Sequence, residues 1–253
     1  MAGQTYFISG GNRGIGFQLV KQFAEANTDN VVIATTRSPA RSTELTELAS
    51  QNKNIHVITL DVGVESSIDT VDSQLKELGI EGIDTFISNA GAFIEAEPTL
   101  DTKSDVFINQ YRVNTLGPIL LFQKVYKYLL AKETRKAVFV SSAGGSLTNF
   151  YPFNSTAYGQ SKAALNFSLI QLSKELESEN FTVVPIHPGG VYTGIAEESL
   201  DKIKATNTEY YEMIIKQLMS TEDCGKHLVP LIDGFKKEDS GKFIDFQGKE
   251  IPY

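Results

Sequence analysis

Short apolar segments alternate with stretches of helical periodicity along this chain, and the alternation restricts the fold more than any other feature. Segments rich in β-branched residues recur at 5–9, 30–36, 54–60, 83–88, 136–142, 181–186 and 241–246. Their nearly continuous hydrophobicity is typical of strands that are buried on both faces. Between them, stretches such as 14–26 and 157–177 place apolar residues on one helical face. The pattern predicts an α/β fold, a doubly wound parallel sheet of about seven strands with helices on both sides.

The organisation of the chain predicts a single domain. No internal repeat, low-complexity tract or linker interrupts the 253 residues, so we expect one domain over 1–253. The stretch 194–220 differs from the rest, because it follows a Pro-Gly-Gly turn and has a helical pattern. We expect it to form a helical lid over a substrate site.

The charge balance and the rare residue types exclude several classes of function. The chain has 23 lysines and arginines against 31 aspartates and glutamates, a formal net charge of −8, which disfavours a nucleic-acid partner. No apolar run approaches the ~20 residues of a membrane span. The lone cysteine, Cys224, and a start without a basic and apolar leader favour a cytoplasmic protein. The three histidines lack ligand spacing, so we expect no metal site and a structural role for His187.

A glycine-rich turn follows the first predicted strand and opens the first predicted helix. Its glycines are Gly10, Gly14 and Gly16. Glycines at such a turn let the backbone approach a pyrophosphate, and the positive end of the helix dipole favours that anion. An ordinary turn between a strand and a helix would also contain glycine, but this context favours a dinucleotide site.

Two arginines indicate which dinucleotide binds. An NAD site places an acidic residue about 20 residues past the glycines, where it binds the ribose 2′-hydroxyl. Arg37 stands at that place here, and Arg13 lies inside the glycine-rich turn. A guanidinium matches a 2′-phosphate in charge and shape, so the sequence predicts NADPH rather than NADH. The alternative is that both arginines only face water.

A tyrosine and a lysine at helical spacing are candidates for acid–base chemistry. Tyr158 and Lys162 lie four residues apart and therefore on one face of a helix. An ammonium group nearby is expected to lower the pKa of the phenol and prepare it for proton transfer to a carbonyl. Tyr128 and Lys132 have the same spacing, and we interpret them as an ordinary pair on a helix surface.

A serine at the end of a strand completes this candidate site. Ser142 closes the segment 136–142 and precedes Tyr158 in the chain, and open α/β sheets bind ligands at the carboxyl ends of their strands. We expect its hydroxyl to bind the substrate carbonyl. Ser141 remains the alternative, because side-chain alternation places only one of the two in the cleft.

Together these motifs resemble those of classical short-chain dehydrogenases/reductases over nearly the whole chain. Ser9–Gly16 is similar to the family's T-G-x-x-x-G-x-G motif, with Ser9 in place of threonine. Ser88–Gly91 is similar to N-N-A-G, with serine as its first residue, and Asp61-Val62, Asn114 and 188–193 match further motifs. The resemblance implies a Rossmann-type fold.

The resemblance also implies the members of the site. The catalytic residues would be Asn114, Ser142, Tyr158 and Lys162, with Asn114 holding a water beside Lys162 in a proton relay. The residues expected to bind NADPH or NADP+ are Gly10, Asn12, Arg13, Gly14, Ile15, Gly16, Arg37, Asp61, Val62, Asn89, Ala90, Gly91, Tyr158, Lys162, Pro188, Gly189, Val191 and Thr193.

Aromatic and apolar residues near these motifs indicate the kind of substrate. The loop 147–153 is longer than the family's commonest form and, with the ending SGKFIDFQGKEIPY, is similar to carbonyl-reductase-like members that include fungal ketoreductases. Several of the residues would line one pocket and favour a bulky or aromatic carbonyl, although ordinary packing would also account for each. The expected pocket residues are Phe93, Ile94, Phe150, Tyr151, Phe153 and Tyr192.

The resulting hypothesis is an NADPH-dependent carbonyl reductase in which Tyr158 is the general acid. The alternative is a regulatory protein that binds NADPH without turnover, since a fold does not determine a function. A sugar-nucleotide epimerase is disfavoured, because Phe17 stands where its third glycine would lie. The resemblance implies a homodimer or homotetramer paired through long helices at 101–132 and 156–179.

Overall fold

A seven-stranded parallel sheet forms the centre of the molecule. The computed structural model describes residues 2–93, 98–150, 156–194, 200, 204, 208–216 and 218–253. The strands lie in the order β3-β2-β1-β4-β5-β6-β7. They are β1 (Thr5–Ile8), β2 (Val31–Thr36), β3 (Ile55–Thr59), β4 (Thr85–Ser88), β5 (Lys136–Val140), β6 (Thr182–His187) and β7 (Ile244–Asp245). Each lies within one of the apolar segments that the sequence predicts to be strands, except that β6 extends one residue further, to His187, so the predicted sheet is confirmed.

Helices cover both faces of this sheet. They are α1 (Gly14–Ala26), α2 (Thr43–Gln51), α3 (Glu65–Asp69), α4 (Val71–Glu77), α5 (Ser104–Tyr111), α6 (Gly117–Leu130), α7 (Thr156–Glu175), α8 (Thr208–Ile215) and α9 (Thr221–Gly234). Side chains of β1 alternate between two apolar cores: Phe7 packs in the core of α4, α6 and α7, whereas Ile8 packs in the core of α1, α2 and α9. This two-sided burial confirms the doubly wound arrangement, and no described helix is long and apolar enough to cross a membrane.

The long helix expected at 101–132 differs from the prediction. It begins at Ser104, ends at Leu130 and contains a π-helical turn at Arg112–Leu116 between α5 and α6. The turn lies beside the segment that follows β3. Directly after the turn, the Gly117 backbone packs so closely on Val62 that a Cβ atom on Gly117 would lie 2.2 Å from the Val62 carbonyl oxygen. Such turns concentrate at functional sites, and this one contains Asn114.

Candidate active site

The glycine-rich turn after β1 has the backbone geometry of an anion site. Gly10 and Gly14 have φ angles of +71° and +61°, which side chains other than glycine rarely adopt. A Cβ atom on Gly16 would lie 2.1 Å from the Gly10 carbonyl oxygen, so the turn is closed against the start of α1. Arg13 precedes α1, and its side chain does not cap the helix. The first turn of α1 contains no acidic residue. The structure therefore keeps a helix N-terminus suited to phosphate.

A threonine that the sequence prediction omits holds this turn in place. The Thr35 hydroxyl accepts a hydrogen bond from the Gly10 amide at 3.1 Å, and its carbonyl accepts one from the Gly11 amide at 2.9 Å. Thr35 is buried at the end of β2. The sequence did offer a signal for this role, namely a hydroxyl-bearing residue inside an apolar strand. A buried hydroxyl needs a hydrogen-bond partner, and here that partner is the glycine-rich turn.

Ser9 and Asn89 connect the ends of β1 and β4. The Ser9 hydroxyl accepts hydrogen bonds of 3.0 Å from the amides of Asn89 and Ala90. The Asn89 side chain donates to the carbonyl oxygens of Ser9 at 3.0 Å and Gly10 at 3.1 Å. Both of these bonds to the Ser9 side chain use only its hydroxyl group, so serine can replace the family's threonine at position 9. Ser88 is 3% exposed and is a small residue inside the sheet.

The residues expected at the adenosine end occupy distinct environments. An Asp61 carboxylate oxygen accepts from the Gly63 amide at 2.9 Å and so forms the turn after β3, while Val62 is buried in the core. Arg13 and Arg37 are both exposed, and neither forms an ion pair with another described residue. Both guanidinium groups are therefore accessible at the glycine-rich end of the sheet.

The turn after β6 faces the glycine-rich turn. Gly189 has a φ angle of +84°, and Val191 pairs with Met219 in an isolated bridge. A Cβ atom on Gly14 would lie 3.8 Å from the Thr193 Cγ2 atom, so these two turns are neighbours. The predicted cofactor residues of the two turns are thus brought together on the carboxyl edge of the sheet.

Tyr158 and Lys162 lie on α7 beside the end of β5. Lys162 is 5% exposed, and its Nζ donates to the Val140 carbonyl at 2.8 Å and lies 5.8 Å from the centre of the Tyr158 ring. Burial lowers the pKa of Lys162 to about 8.

The pKa of Tyr158 differs from the sequence-based expectation. Burial raises its pKa above the ordinary value, and a hydrogen bond with Ser142 offsets part of that rise. The expected lowering by the ammonium of Lys162 is wrong for this structure, because loss of hydration outweighs the other influences on the phenolate. The phenol therefore holds its proton at neutral pH.

The two candidate serines point in different directions. The Ser142 hydroxyl is hydrogen-bonded with Tyr158 and accepts from the Gly144 amide at 3.1 Å. Ser141 is 2% exposed, and its hydroxyl donates to the Asn166 side-chain oxygen at 2.6 Å. Ser142 is thus the serine beside Tyr158, and Ser141 belongs to the interior.

The second Tyr–Lys pair is not on the surface, contrary to the sequence-based interpretation. Tyr128 is 6% exposed and donates to a carboxylate oxygen of Asp72 at 2.8 Å. Burial and, to a lesser extent, the hydrogen bond to Asp72 raise the pKa of Tyr128 to about 12. Lys132 instead pairs with Asp84 at 3.3 Å. Tyr128 is a packing residue between α6 and α4, and helical spacing could not reveal its burial.

Asn114 lies in the π-helical turn and binds the backbone after β4. Its side-chain oxygen accepts from the Ala92 amide at 2.8 Å, and its nitrogen donates to the Ala92 carbonyl at 2.8 Å. A Cβ atom on Gly91 would lie 3.3 Å from that oxygen and 3.8 Å from Lys162 Nζ. The structure thus brings Asn114, Gly91 and Lys162 together, whereas the water expected beside them stays a prediction.

The predicted pocket residues are described only in part. The Phe93 ring centre lies 5.2 Å from that of Tyr158, so Phe93 adjoins the candidate acid. Phe150 is 74% exposed and Tyr192 is 44% exposed. Ile94, Tyr151 and Phe153 lie outside the described residues, as does much of the expected lid at 194–220.

His187 has a neighbour that its sequence context did not indicate. It lies at the end of β6 opposite Asp245 of β7, and burial lowers its pKa. Asp245 itself accepts from the amides of Gln247 and Lys249, both at 2.9 Å. Within the described part of the chain, no group of three histidine, cysteine or acidic side chains could hold a metal ion.

Comparisons with known proteins agree with this geometry. A family model for short chain dehydrogenases matches residues 4–204. An uncharacterized oxidoreductase of Saccharomyces cerevisiae is 41% identical over 250 residues, which cover 97% of this chain and 96% of that protein. One of Schizosaccharomyces pombe is 38% identical over 251 residues, with 99% and 98% covered. The NADPH-bound carbonyl reductase from chicken fatty liver has a TM-score of 0.86 at 25% identity, covering 100% of this chain and 95% of that one. The chain is therefore an oxidoreductase that belongs to the short-chain dehydrogenase family.

Proposed function

We propose that the protein is an NADPH-dependent carbonyl reductase that transfers hydride to a bulky or aromatic ketone or aldehyde. The observation that carries this proposal is the arrangement of three side chains at one place. The Ser142 hydroxyl, the Tyr158 phenol and the buried Lys162 amine meet where β5 ends beside α7. The similarity to an NADPH-bound carbonyl reductase supports the reaction class.

Tyr158 is suited to donate a proton to a carbonyl oxygen. Its raised pKa keeps the phenol protonated at neutral pH, which is the state that a reduction requires. Ser142 is hydrogen-bonded with Tyr158 and so would contact the same substrate oxygen as negative charge develops on it. The nicotinamide cofactor, when bound, supplies the hydride.

Lys162 and the two turns would bind the cofactor. Lys162 uses one N–H group on the Val140 carbonyl, and an ammonium has three, which leaves donors for ribose hydroxyls. The turns at Gly10–Gly16 and at 188–193 adjoin each other, and the N-terminus of α1 at the first turn has no acidic residue to oppose the pyrophosphate of a dinucleotide. The accessible guanidiniums of Arg13 and Arg37 favour a 2′-phosphate over a free 2′-hydroxyl.

Apolar side chains around Tyr158 support a large substrate. Phe93 contacts the Tyr158 ring, and Phe150 and Tyr192, in the segments that follow Ser142 and β6, expose much of their surface. Aromatic ketones, diketones and α-ketoesters would bury more apolar surface there than acetone would. We therefore expect a higher kcat/KM for aromatic than for acetone-sized carbonyls.

Replacement of Tyr158 by phenylalanine tests this function. The variant keeps the ring but removes the proton donor, so we expect NADPH binding to persist and turnover to fall by a factor of roughly 100 or more. The measurement is the loss of NADPH absorbance with a panel of carbonyls, and of NADH absorbance in parallel. Tyr111→Phe, at an exposed tyrosine of α5, is the matched control and should keep full activity.

Two outcomes would contradict the proposal. Turnover near the wild-type rate in Tyr158→Phe would remove Tyr158 as the acid. Saturable NADPH binding by the wild type, without turnover of any carbonyl, would favour the regulatory alternative.

A further inference from the structure

The last residues of the sequence form a hairpin on the edge strand of the sheet. After β7 the chain turns at Gly248, whose φ angle is +82°, and runs back beside β7. The Asp245 amide donates to the Lys249 carbonyl at 2.8 Å, and the Ile251 amide donates to the Phe243 carbonyl at 2.8 Å. We call residues 250–253 the end segment. The hairpin turns at the carboxyl edge of the sheet, and the end segment runs back from that edge antiparallel to β7.

The end segment contacts the loop that follows the catalytic serine candidate. The Ser146 hydroxyl donates to the Pro252 carbonyl at 2.8 Å. The Tyr253 carbonyl accepts from the Thr148 amide at 3.2 Å and from the Thr148 hydroxyl at 2.9 Å. More than one hundred residues separate these partners in the chain, with a separation of 106 for Ser146 and Pro252. These are therefore tertiary contacts, and on the loop side the hydroxyl groups of Ser146 and Thr148 take part in them.

Tyr253 is itself held by the body of the protein. Its hydroxyl donates to the Gly241 carbonyl at 2.7 Å, and its ring stacks on Phe243 with centres 5.6 Å apart. Phe243 is fully buried. The carbonyl that Thr148 binds thus belongs to a fixed residue, so the loop gains a stable partner.

Ser146 transmits the contact into the loop. The same hydroxyl that donates to Pro252 accepts from the Asn149 amide at 3.0 Å. Ser146 is 4% exposed, whereas Leu147 and Phe150 are 81% and 74% exposed. The end segment and the internal turn of the loop therefore share one buried hydroxyl, and the turn presents two apolar side chains outward.

The other end of the loop adjoins the reacting groups. A Cβ atom on Gly145 would lie 2.7 Å from the Lys162 carbonyl carbon, and one on Gly159 would lie 2.8 Å from the Gly144 carbonyl oxygen. The backbone between Ser142 and Ser146 is thus packed directly on α7 beside Tyr158. The loop 146–150 therefore continues directly from backbone that packs beside Tyr158.

We propose that the end segment positions the loop 146–150 and thereby determines which carbonyl substrates the site accepts. This inference rests on the proposed function, since it concerns the substrates of the same site. Pro252 and Tyr253 act through Ser146 and Thr148, so they are positioning residues. We expect bulky substrates to depend on the loop most, because its exposed side chains, Leu147 and Phe150, are large and apolar and follow the backbone that packs on α7.

Deletion of Pro252 and Tyr253 gives the first test, read by hydrogen exchange. The Asn149 amide is the reporter, because its acceptor, Ser146, stays in the variant. We expect exchange at Asn149 to become at least about fivefold faster, as for loss of one neutral hydrogen bond, with no change at amides of β5 and α7. Unchanged exchange at Asn149 would overturn the positioning role.

Thr148→Val gives the second test, read by kinetics, and removes one hydroxyl without changing the size of the side chain. We expect KM for an aromatic ketone to rise by roughly fivefold, with kcat for a small aldehyde and the Kd of NADPH unchanged. Thr70→Val is the matched control, since the Thr70 hydroxyl donates to the Ser67 carbonyl far from this loop at 2.8 Å. An equal change for large and small substrates would overturn the specificity role.

The two tests separate this inference from the proposed function. If the wild type reduces no carbonyl, the proposed function fails and the specificity role fails with it, while the exchange measurement still decides the positioning role. If the wild type is active and both variants behave like it, the inference alone fails.

Discussion

Arg37 shows how one residue at the end of a strand can select a cofactor. It follows β2, is exposed, and pairs with no carboxylate among the described residues. A guanidinium in this state is available for a phosphate group, whose charge it matches with several N–H donors. An acidic residue at the same place would bind a ribose hydroxyl and repel the phosphate.

We predict that Arg37→Asp weakens NADPH binding much more than NADH binding. Loss of a charged hydrogen bond and addition of a repelling carboxylate should raise the Kd of NADPH by roughly 10-fold to 100-fold. Fluorescence titration of both cofactors measures the change. Arg41→Asp, which makes the same charge change at another exposed arginine nearby, is the control. Equal increases in the Kd of NADPH and of NADH would show that Arg37 does not bind the 2′-phosphate.

Single residues also show where sequence reasoning succeeds and where it fails. The positions of Ser142, Tyr158 and Lys162 follow from spacing, because a strand end and one turn of helix fix them locally. The direction of the Tyr158 pKa does not, because it depends on burial by the rest of the chain. Thr35 and Tyr128 were missed or misread for the same reason.

At the scale of elements, Asp72 joins two helices that pack beside the sheet. It lies on α4 and accepts from Tyr128 of α6 at 2.8 Å, while Lys127 of α6 and Lys76 also bind it. Hydrogen bonds from Lys127, Lys76 and Tyr128 lower the pKa of Asp72 well below its ordinary value. Its ionised form therefore stabilises the contact between α4 and α6.

We predict that Asp72→Asn lowers the free energy of unfolding at pH 7 by about 1 kcal/mol, since the lysines are exposed and water screens them. A folded-state pKa below the unfolded value stabilises the protein above pH ~4 and loses that effect as the pH falls. Denaturant unfolding at pH 7 and at pH 3 should thus show a smaller difference at pH 3. Asp69→Asn, which breaks an exposed pair with Lys124, is the control with little expected effect. A difference that does not depend on pH would contradict this account.

The elements themselves were largely predictable, with one instructive exception. Apolar segments gave the strands and apolar faces gave α1 and α7, because burial dominates both patterns. The π-helical turn at Arg112–Leu116 was not predicted, because helical periodicity does not distinguish one π-helical turn from the α-helix around it. Directly after it, the backbone of Gly117 packs closely on Val62, a contact between distant parts of the chain that periodicity does not reveal.

At the scale of the whole molecule, α5, the π-helical turn that follows it and α7 expose a set of apolar side chains. Their exposed fractions are 55% for Ile108, 49% for Tyr111, 41% for Leu116 and 73% for Phe167. The described helices α5 and α7 pack against each other, so these side chains lie on neighbouring elements. We propose that this side pairs with a second copy, as the family resemblance implies.

We predict that Phe167→Glu shifts the protein toward the monomer, because a carboxylate in the centre of an apolar interface is costly to bury. Light scattering after size exclusion measures the mass in solution. Leu78→Glu, at an exposed leucine on another surface, should leave the mass unchanged. A wild type that is monomeric at high concentration would refute the pairing.

Long-range contacts mark the limit of prediction at this scale. The sheet and its helices follow from local patterns, and the Rossmann-type fold follows from the family resemblance. The contact between Thr148 and Tyr253 joins residues separated by 105 positions, and no sequence pattern in either segment predicts that they meet. Such contacts depend on packing of the complete fold, which composition and periodicity do not describe.

The hydrogen bonds around the glycine-rich turn have a thermodynamic consequence. Thr35 and Asn89 bind the backbone of Gly10 and Gly11, so folding already restricts the conformations of this turn. A dinucleotide that binds there meets a preorganised surface and does not have to order the turn at a cost of ~1–2 kcal/mol per residue. The entropy of ordering the binding loop is therefore lost once, during folding, and the full interaction energy of the phosphates remains available for affinity.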